Sequence, residues 1–244
     1  MTKDRSLDRR ALLRLGAGAA IAPLVLSAPS MAQAPGSTKI GVVGSGKLGG
    51  TVGGLWAKAG YQVMFSSRHP DELKGLVEGL GANARAGTVE EAVKFGDVIL
   101  VAVPYAALPQ VGRDNAAALK GKVVLDSCNP IPARDGEIVK EAIENGVGET
   151  SVKYLPGTRL VRAFNSFGSG TFASEAHRAG EKIGVPIAGD DAEALKVAAK
   201  LVRDAGFEPV AVPLARAREF APPGPLFRLA LPVSELKTRL GIKG

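Results

Sequence analysis

Three glycines, Gly44, Gly46 and Gly49, have the spacing of a phosphate-binding loop. They follow the apolar segment 40–43 and precede apolar residues at helical spacing. In a strand–turn–helix unit the first glycine permits a tight turn, the second lets the backbone approach a pyrophosphate, and the third allows close helix–strand packing. The helix N-terminus adds free N–H groups and a favourable dipole for an anion. The pattern predicts a dinucleotide site; a glycine-rich turn without a ligand is the alternative.

The end of the second predicted strand indicates which dinucleotide would bind. An NAD site places Asp or Glu about 20 residues after the glycines, where the carboxylate bonds the ribose 2′-OH. This sequence has Ser66, Ser67 and Arg68 there, and no acid. Serine hydroxyls and a guanidinium bind a 2′-phosphate through charge-assisted hydrogen bonds, whereas a carboxylate would repel it. The sequence therefore predicts NADP(H), with a solvated loop arginine as the alternative reading.

Strands and helices alternate along the chain from Lys39, a pattern typical of a parallel α/β sheet. We expect strands at 40–43, 61–65, 83–86, 97–104, 123–126, 159–165, 184–188 and 209–212. The nearly continuous apolar run at 97–104 predicts a buried central strand. The predicted fold is a Rossmann-type, doubly wound, mainly parallel sheet of about eight strands. It forms a single domain over residues 35–214, followed by a short C-terminal arm over residues 215–244.

Two helix starts carry specific signals. Thr88 followed by Glu91 predicts a capping box. Asp190 and Glu193 predict the cap of a helix that ends at Gly206.

The first 34 residues resemble an export signal. They combine a basic start, a mildly apolar stretch and an A-x-A pattern that ends at Ala34. Arg9 and Arg10 resemble a twin-arginine (Tat) signal; a Sec signal or an unstructured tail is the alternative. The stretch is too short and too rich in glycine and alanine for a stable membrane span. We expect a Tat-type signal peptide, cleavage after Ala34 or Ala32, no stable membrane insertion after its removal, and a periplasmic or cell-envelope protein.

Composition argues against several other classes of protein. The net charge of +7 falls to +4 without the first 34 residues, which hold five basic and two acidic residues, and this mild excess suits a small anionic ligand. No Lys/Arg cluster is interleaved with aromatic residues, so we expect no nucleic-acid partner. One cysteine, Cys128, excludes an internal disulfide and a cysteine-based zinc cluster. We interpret it as a buried small residue because no histidine lies near it in sequence. We predict no metal and no catalytic dyad or triad, and we interpret Ser174 to His177 as a solvated helix face.

Four sequence segments together resemble the NADP oxidoreductase family that depends on coenzyme F420. In chain order, from about Lys39 to about Pro213, they are KIGVVGSGKLGGTVGGLWAKAGYQVMFSSR, DVILVAVPYAAL, VVLDSCNP and LVRAFNSFG. The same fold is similar to the reductase domain of six-transmembrane ferric reductases and to the N-terminal domain of pyrroline-5-carboxylate reductases. The combination is specific for the superfamily and not for the electron acceptor.

The resemblance also implies which residues contact the cofactor. They all follow the carboxyl ends of strands, as is general for ligands of open α/β sheets. They are Gly44, Ser45, Gly46, Lys47, Leu48 and Gly49 in the phosphate loop, Ser66, Ser67 and Arg68 at the 2′-phosphate, Ala102, Val103 and Pro104 along the ribose and nicotinamide, Asn129 and Pro130 near the nicotinamide, and Ala163, Phe164 and Asn165 close to the ring. Asn165 could orient the carboxamide or the acceptor. In the alternative reading, Pro104 and Pro130 simply end strands and Asn129 is a turn residue.

The resemblance implies an NADP-dependent oxidoreductase that transfers hydride between NADP(H) and a flavin-like or deazaflavin (F420) acceptor. Such chemistry needs no acid–base residue, because the protein supplies orientation and electrostatics. Two other functions stay open: a non-catalytic NADP-binding sensor or scavenger, and a reductase of a ferric chelate or imine. The arm is too short for a typical domain of about 50 residues or more, such as the helical dimerisation domain of imine reductases. We also expect a homodimer.

Overall fold

One eight-stranded sheet forms the centre of the molecule in the computed structural model, which describes residues 38–242. The strands are β1 Lys39–Val43, β2 Gln62–Ser66, β3 Ala84–Gly87, β4 Val98–Val101, β5 Val123–Asp126, β6 Arg159–Arg162, β7 Gly184–Ala188 and β8 Glu208–Val212. Their order across the sheet is β3-β2-β1-β4-β5-β6-β7-β8. All neighbouring pairs are parallel except β6 and β7, which are antiparallel. The predicted Rossmann-type, mainly parallel sheet in a single domain is confirmed.

Helices connect the strands and cover both faces of the sheet. Within the described range they are α1 Lys47–Lys58, α2 Lys74–Leu80, α3 Val89–Phe95, α4 Leu108–Asp114, α5 Ala116–Leu119, α6 Pro132–Asp135, α7 Ile138–Asn145, α8 Val147–Tyr154, α9 Ser169–Glu175, α10 Ala192–Asp204 and α11 Val233–Arg239. Short 3-10 helices occupy Pro70–Leu73, Gly81–Asn83, Tyr105–Ala107 and Leu214–Phe220. Side chains alternate between two apolar clusters, one on each face. Along β5, Val123 and Leu125 lie in one cluster and Val124 in the other, as a two-residue period requires.

Most predicted strand bounds agree with the structure to within one or two residues, but two predicted strands are too long. The strand expected at 97–104 ends at Val101, and the strand expected at 159–165 ends at Arg162. Phe164 has a φ of 59°, which no β-strand residue adopts. The chain therefore turns out of the sheet directly after β6. The capping box at Thr88 is present as predicted: its hydroxyl accepts from the Glu91 N–H, and the Glu91 carboxylate accepts from the Thr88 N–H.

The predicted cap of α10 is wrong by one residue. The capping side chain is Asp191, whose carboxylate accepts hydrogen bonds from the N–H groups of Glu193 and Ala194. Asp190 accepts instead from the N–H of Leu214. Asp190 thereby ties the start of α10 to the segment after β8. Two adjacent acids both fit the capping pattern, and only the tertiary contact separates their roles.

The C-terminal arm packs against the domain within the described range. Phe220, Leu226, Leu236 and Leu240 are all buried in one of the two apolar clusters. A backbone bridge joins Ile183 to Pro232 beside the start of β7. The arm therefore completes the core on one face of the sheet. The predicted signal peptide, residues 1–34, lies outside the described residues.

Candidate functional site

The loop after β1 has the geometry that the glycine pattern predicts. Gly44 has a φ of 92°, and a Cβ on it would lie 2.6 Å from the Ala102 carbonyl oxygen. A Cβ on Gly49 would lie 2.1 Å from the Gly44 carbonyl oxygen. Packing within the protein therefore requires both glycines. By contrast, no atom of the described residues lies within 4 Å of a Cβ placed on Gly46. Apart from its two chain neighbours, the space beside Gly46 is therefore open.

The start of α1 offers unpaired polar groups to an anion. Gly46 caps the helix without a side-chain hydrogen bond, and no acidic residue occupies the first turn. The first N–H groups and the positive end of the helix dipole are thus available. Ser45 Oγ is buried and has no hydrogen-bond partner among residues 38–242. Lys47 is exposed beside it, and Leu48 packs against the core. These features fit a bound pyrophosphate.

Ser66, Ser67 and Arg68 have three different environments at the end of β2. The Ser66 side chain is buried, and its hydroxyl donates to the Val42 carbonyl at 2.8 Å, so it joins β2 to β1. Ser67 Oγ accepts from the N–H of His69 at 3.0 Å. Arg68 is exposed and forms no ion pair with any other residue of the described chain. Ser67 and Arg68 are the two members of the group that present polar side chains at the surface.

The end of β4 borders the phosphate loop. The Ala102 N–H donates to the Val43 carbonyl at 2.8 Å. Val103 Cγ1 lies 2.8 Å from a Cβ placed on Gly44, so both residues line the turn. Pro104 is exposed and precedes the 3-10 helix Tyr105–Ala107. The structure thus brings Ala102 and Val103 to the loop, as the resemblance implied.

A buried ion pair that the sequence did not reveal lies at the ends of β5 and β6. Asp126 and Arg162 face each other in the strand register, and Arg162 Nη1 lies 2.6 Å from Asp126 Oδ2. Neither side chain has any exposed surface. Arg162 Nη2 also donates to the Cys128 carbonyl at 2.7 Å and to Asn129 Oδ1 at 3.1 Å. The available sequence signal was a charged residue at the end of each of two apolar strands.

The two predicted asparagines are hydrogen-bonded to each other. Asn129 Nδ2 donates to the Asn165 carbonyl at 2.7 Å, and Asn165 Nδ2 donates to Asn129 Oδ1 at 3.2 Å. Asn165 Nδ2 also donates to the Phe220 carbonyl of the arm at 3.2 Å. Pro130 and Ala163 beside them are buried. The structure therefore brings the predicted β5 and β6 residues together and adds the arm to them, which the sequence analysis did not foresee.

Nucleophilic chemistry is not available at Cys128. Burial, and then the neighbouring Asp126 carboxylate, raise the pKa of the Cys128 thiol well above its ordinary value, so the thiol is protonated at neutral pH. Burial likewise raises the pKa of the Tyr105 hydroxyl. Ser174 and His177 are both exposed, near the end of α9. Within residues 38–242 no group of three or more His, Cys, Asp or Glu side chains is placed to hold a metal ion, and no helix is long and apolar enough to cross a membrane.

Comparison with known proteins agrees with this geometry. Residues 39–130 match the family described as NADP oxidoreductase, coenzyme F420-dependent. The metalloreductase STEAP3 of Rattus norvegicus is 32% identical over 208 residues, which are 80% of this chain and 38% of the relative. The chain spans about two fifths, 38% to 40%, of the length of the curated relatives it matches.

Two crystal structures share the fold over most of their length. Protein SMa0349 of Sinorhizobium meliloti superposes with a TM-score of 0.70 at 24% identity, covering 80% of this chain and 95% of that one. A candidate F420-dependent NADP-reductase of Arthrobacter sp. FB24 superposes with a TM-score of 0.64 at 21% identity, covering 84% and 96%.

The fold and the glycine loop define a Rossmann-type dinucleotide-binding domain. Within that domain, residues 39–130 are similar to the coenzyme F420-dependent NADP oxidoreductase family. The match confirms the predicted resemblance and contains three of the four sequence segments that carry it. The predicted cofactor and enzyme class are those of the matched family.

Proposed function

We propose that the protein is an NADPH-dependent oxidoreductase that transfers hydride to a flavin-like or deazaflavin acceptor. The observation that carries the proposal is the phosphate loop. It combines the open space at Gly46, the unpaired Ser45 hydroxyl and an α1 N-terminus without acids. Arg68, at the end of the neighbouring strand, adds an exposed cation that pairs with no acid of the described range. This combination favours a dinucleotide that carries a 2′-phosphate.

The residues of the chain have binding and orienting roles in this proposal. NADPH, when bound, supplies the hydride. The α1 N-terminus and Ser45 hold the pyrophosphate, and Ser67 with Arg68 holds the 2′-phosphate. At the other end of the groove, Asp126 is already paired with Arg162 and the Cys128 thiol is protonated. The raised pKa makes the buried Cys128 thiol a poor proton donor, which favours an acceptor that takes hydride without a protein acid.

A second candidate function is reduction of a metal chelate. It is favoured by the 32% identity over 208 residues to a relative named a metalloreductase. Hydride carries two electrons, so one NADPH would reduce two ferric ions and release one proton. The imine-reducing alternative has only fold neighbours at 18% identity or below to support it.

We further propose that the protein is exported by a Tat-type signal to the periplasm or cell envelope and acts as a homodimer. The Arg9-Arg10 pair and the A-x-A pattern ending at Ala34 support export. The exposed apolar side chains of Ile143 on α7 and Val152 on α8 support an interface. Fractionation of expressing cells and light scattering of the purified protein test these two points. An Ile143→Glu variant should be monomeric if α7 lies in the interface.

One assay separates the candidate functions. NADPH oxidation is followed by absorbance with F420, FMN, riboflavin and ferric citrate offered in turn, and with NADH as a control donor. We expect turnover with F420 or a flavin. Turnover with ferric citrate alone would select the second candidate, and tight NADPH binding without turnover on any acceptor would indicate a sensor or scavenger. Ser174→Ala, an exposed substitution on α9, is the matched control for variants in the loop.

A further inference from the structure

A polarised hydrogen-bond chain runs through the ends of β5 and β6. It begins at the buried Asp126–Arg162 pair. A guanidinium carries only donors, so the Asn129 side-chain atom that faces Arg162 Nη2 at 3.1 Å must be the amide oxygen. The direction of the Asn129 amide is therefore set by the arginine.

The orientation of the Asn129 amide in turn determines the orientation of the Asn165 amide. Asn129 Oδ1 faces Arg162, so its Nδ2 donates to the Asn165 backbone carbonyl at 2.7 Å. Asn165 Nδ2 then lies between two acceptors, Asn129 Oδ1 and the Phe220 carbonyl, each at 3.2 Å. An inverted Asn165 amide would place its oxygen against both acceptors. The partners therefore fix the orientation of each amide by their chemistry.

This orientation leaves Asn165 Oδ1 without a donor. The Asn165 side chain is 2% exposed, and the oxygen has no hydrogen-bond partner among the described residues. The next residue, Ser166, is also 2% exposed and has an unpaired Oγ. Buried acceptors without donors are rare in folded proteins and cost free energy. The hydrogen bonds of Arg162, Asn129 and Asn165 allow only one orientation of each amide, and this orientation leaves Asn165 Oδ1 unpaired. The unpaired oxygen points to a donor from a ligand.

Two residues close to Asn165 and Ser166 have an uncommon backbone conformation, one before them in the chain and one in the C-terminal arm. Phe164 has a φ of 59° and Arg228 a φ of 67°, and the Arg228 N–H donates to the Ser166 carbonyl at 2.6 Å. Non-glycine residues at positive φ persist where the surrounding structure imposes them, and they cluster at ligand sites. β6 lies three strands from β1, about 14 Å away at ordinary strand spacing. A nicotinamide riboside that extends from the phosphate loop can cross such a distance.

The resemblance already implies that Asn165 orients the carboxamide or the acceptor. We propose that Arg162 is the positioning residue of this contact: through Asn129 it turns Asn165 Oδ1 toward the amide N–H of a planar ring bound at the end of β6. An amide carries a carbonyl beside its N–H, and Ser166 Oγ is the unpaired group that can donate to it. The inference rests on the proposed function, in which two rings carry such a group: the carboxamide of nicotinamide and the pyrimidinedione of a flavin-type acceptor.

The first arm of the test measures binding by titration calorimetry. Three ligands are compared on the full chain: NADP⁺, its 3-acetylpyridine analogue, in which a methyl group replaces the carboxamide NH₂, and 2′,5′-ADP, which lacks the ring. If the carboxamide is the donor, the wild type binds NADP⁺ about threefold to tenfold more tightly than the analogue, as one hydrogen bond predicts. Asn165→Ala should bind both equally. Asn145→Ala, an exposed asparagine at the end of α7, should keep the wild-type ratio.

Arg162→Lys tests the positioning role. A lysine keeps the charge opposite Asp126 but lacks the planar fork that also reaches Asn129. We expect the NADP⁺ preference to fall toward one, while 2′,5′-ADP binding stays at the wild-type level. A purely structural role would weaken all three ligands together. If Arg162→Lys does not fold, Asn165→Ala still decides the matter, because it leaves the Asp126–Arg162 pair intact.

The second arm tests the acceptor as the source of the N–H. The ratio of kcat/KM for riboflavin and for riboflavin methylated at its imide nitrogen is compared in the wild type and in Asn165→Ala. A preference of threefold or more for the N–H form that is lost in Asn165→Ala assigns the contact to the acceptor. If wild type prefers neither NADP⁺ nor the N–H flavin while NADP⁺ still binds, the inference is wrong and the proposed function stands. If wild type binds neither NADP⁺ nor 2′,5′-ADP, the proposed function fails first.

Discussion

The two ends of the candidate cofactor groove are built by different means. The phosphate end uses glycines, backbone N–H groups and the exposed Arg68, all from residues 44–68. The ring end uses the buried side chains of Asp126, Arg162 and Asn165, together with the carbonyl of Phe220 in the arm. The phosphate end is built from residues close together in the sequence and is exposed to solvent. The ring end is assembled from distant segments, and its side chains are buried.

This difference separates binding from stability. An exposed cation loses little when its ligand is absent, because water solvates it. A buried charge depends on its partner at all times, because the surrounding protein solvates it poorly. Substitutions at the phosphate end should therefore change ligand affinity, whereas substitutions at the ring end should change the free energy of unfolding as well.

The largest expected effect is at the buried pair. Asp126→Ala leaves the Arg162 charge buried and unpaired, which should lower the free energy of unfolding by about 3–5 kcal/mol. Urea denaturation measures this value. Lys196→Ala removes half of the exposed Lys196–Glu193 pair and should change stability by less than about 1 kcal/mol. Equal effects of the two substitutions would contradict the expectation that a buried ion pair contributes far more to stability than an exposed one.

Arg68→Glu should weaken NADPH binding by about 2–3 kcal/mol, because it removes charge-assisted hydrogen bonds to the 2′-phosphate and adds a repulsive charge. NADH, which has no 2′-phosphate, should bind as it does to the wild type. Fluorescence titration with both nucleotides measures the ratio. An equal loss for NADPH and NADH would contradict the assignment of Arg68 to the 2′-phosphate. Thermal unfolding should be unchanged in the absence of ligand.

Two glycines of the phosphate loop should respond differently to substitution, one in stability and the other in nucleotide affinity. Gly49→Ala places a Cβ 2.1 Å from the Gly44 carbonyl oxygen and should cost about 1–3 kcal/mol of stability through overpacking. Gly46→Ala meets no protein atom within 4 Å, so its stability should change by about 0.5 kcal/mol or less, while NADPH affinity falls. Denaturation and nucleotide titration on both variants provide the check. A Gly46→Ala protein with wild-type affinity would show that no ligand approaches there.

The smallest effect is expected at the opposite end of β6, where Arg159 pairs with Asp191 at 2.7 Å in a partly exposed site. Arg159 lowers the pKa of the Asp191 carboxyl. A depressed pKa stabilises the fold above the unfolded value of about 3.9, and this contribution is lost as the pH falls through the lower folded value. Asp191→Asn keeps an N-cap oxygen and should be less stable than wild type at pH 7. Urea denaturation at several pH values should show that the difference begins to shrink below about pH 4 and continues to shrink as the pH falls further.

Much of the fold was predictable because its signals are local. Alternating apolar segments placed all eight strands, and the Thr88–Glu91 spacing identified a capping box that the structure contains. The early ends of β4 and β6 and the true cap at Asp191 were not predictable. The end of β6 depends on a positive φ at Phe164 and the cap on the contact of Asp190 with Leu214, and neither has a periodic signal in the sequence. The apolar run continues past the end of β4 to Val103, so its length does not show where the strand stops.

The sequence by itself determined the glycine loop, the absence of an acid after β2 and the alternation that defines the sheet, since each follows from residues close together in the chain. Only the tertiary structure decided that Asp126 pairs with Arg162, that the two asparagines are fixed in one orientation, and that the arm reaches Asn165. The physical reason is strand register. Asp126 and Arg162 are 36 residues apart in sequence, and they become partners only because β5 and β6 lie side by side with their carboxyl ends aligned.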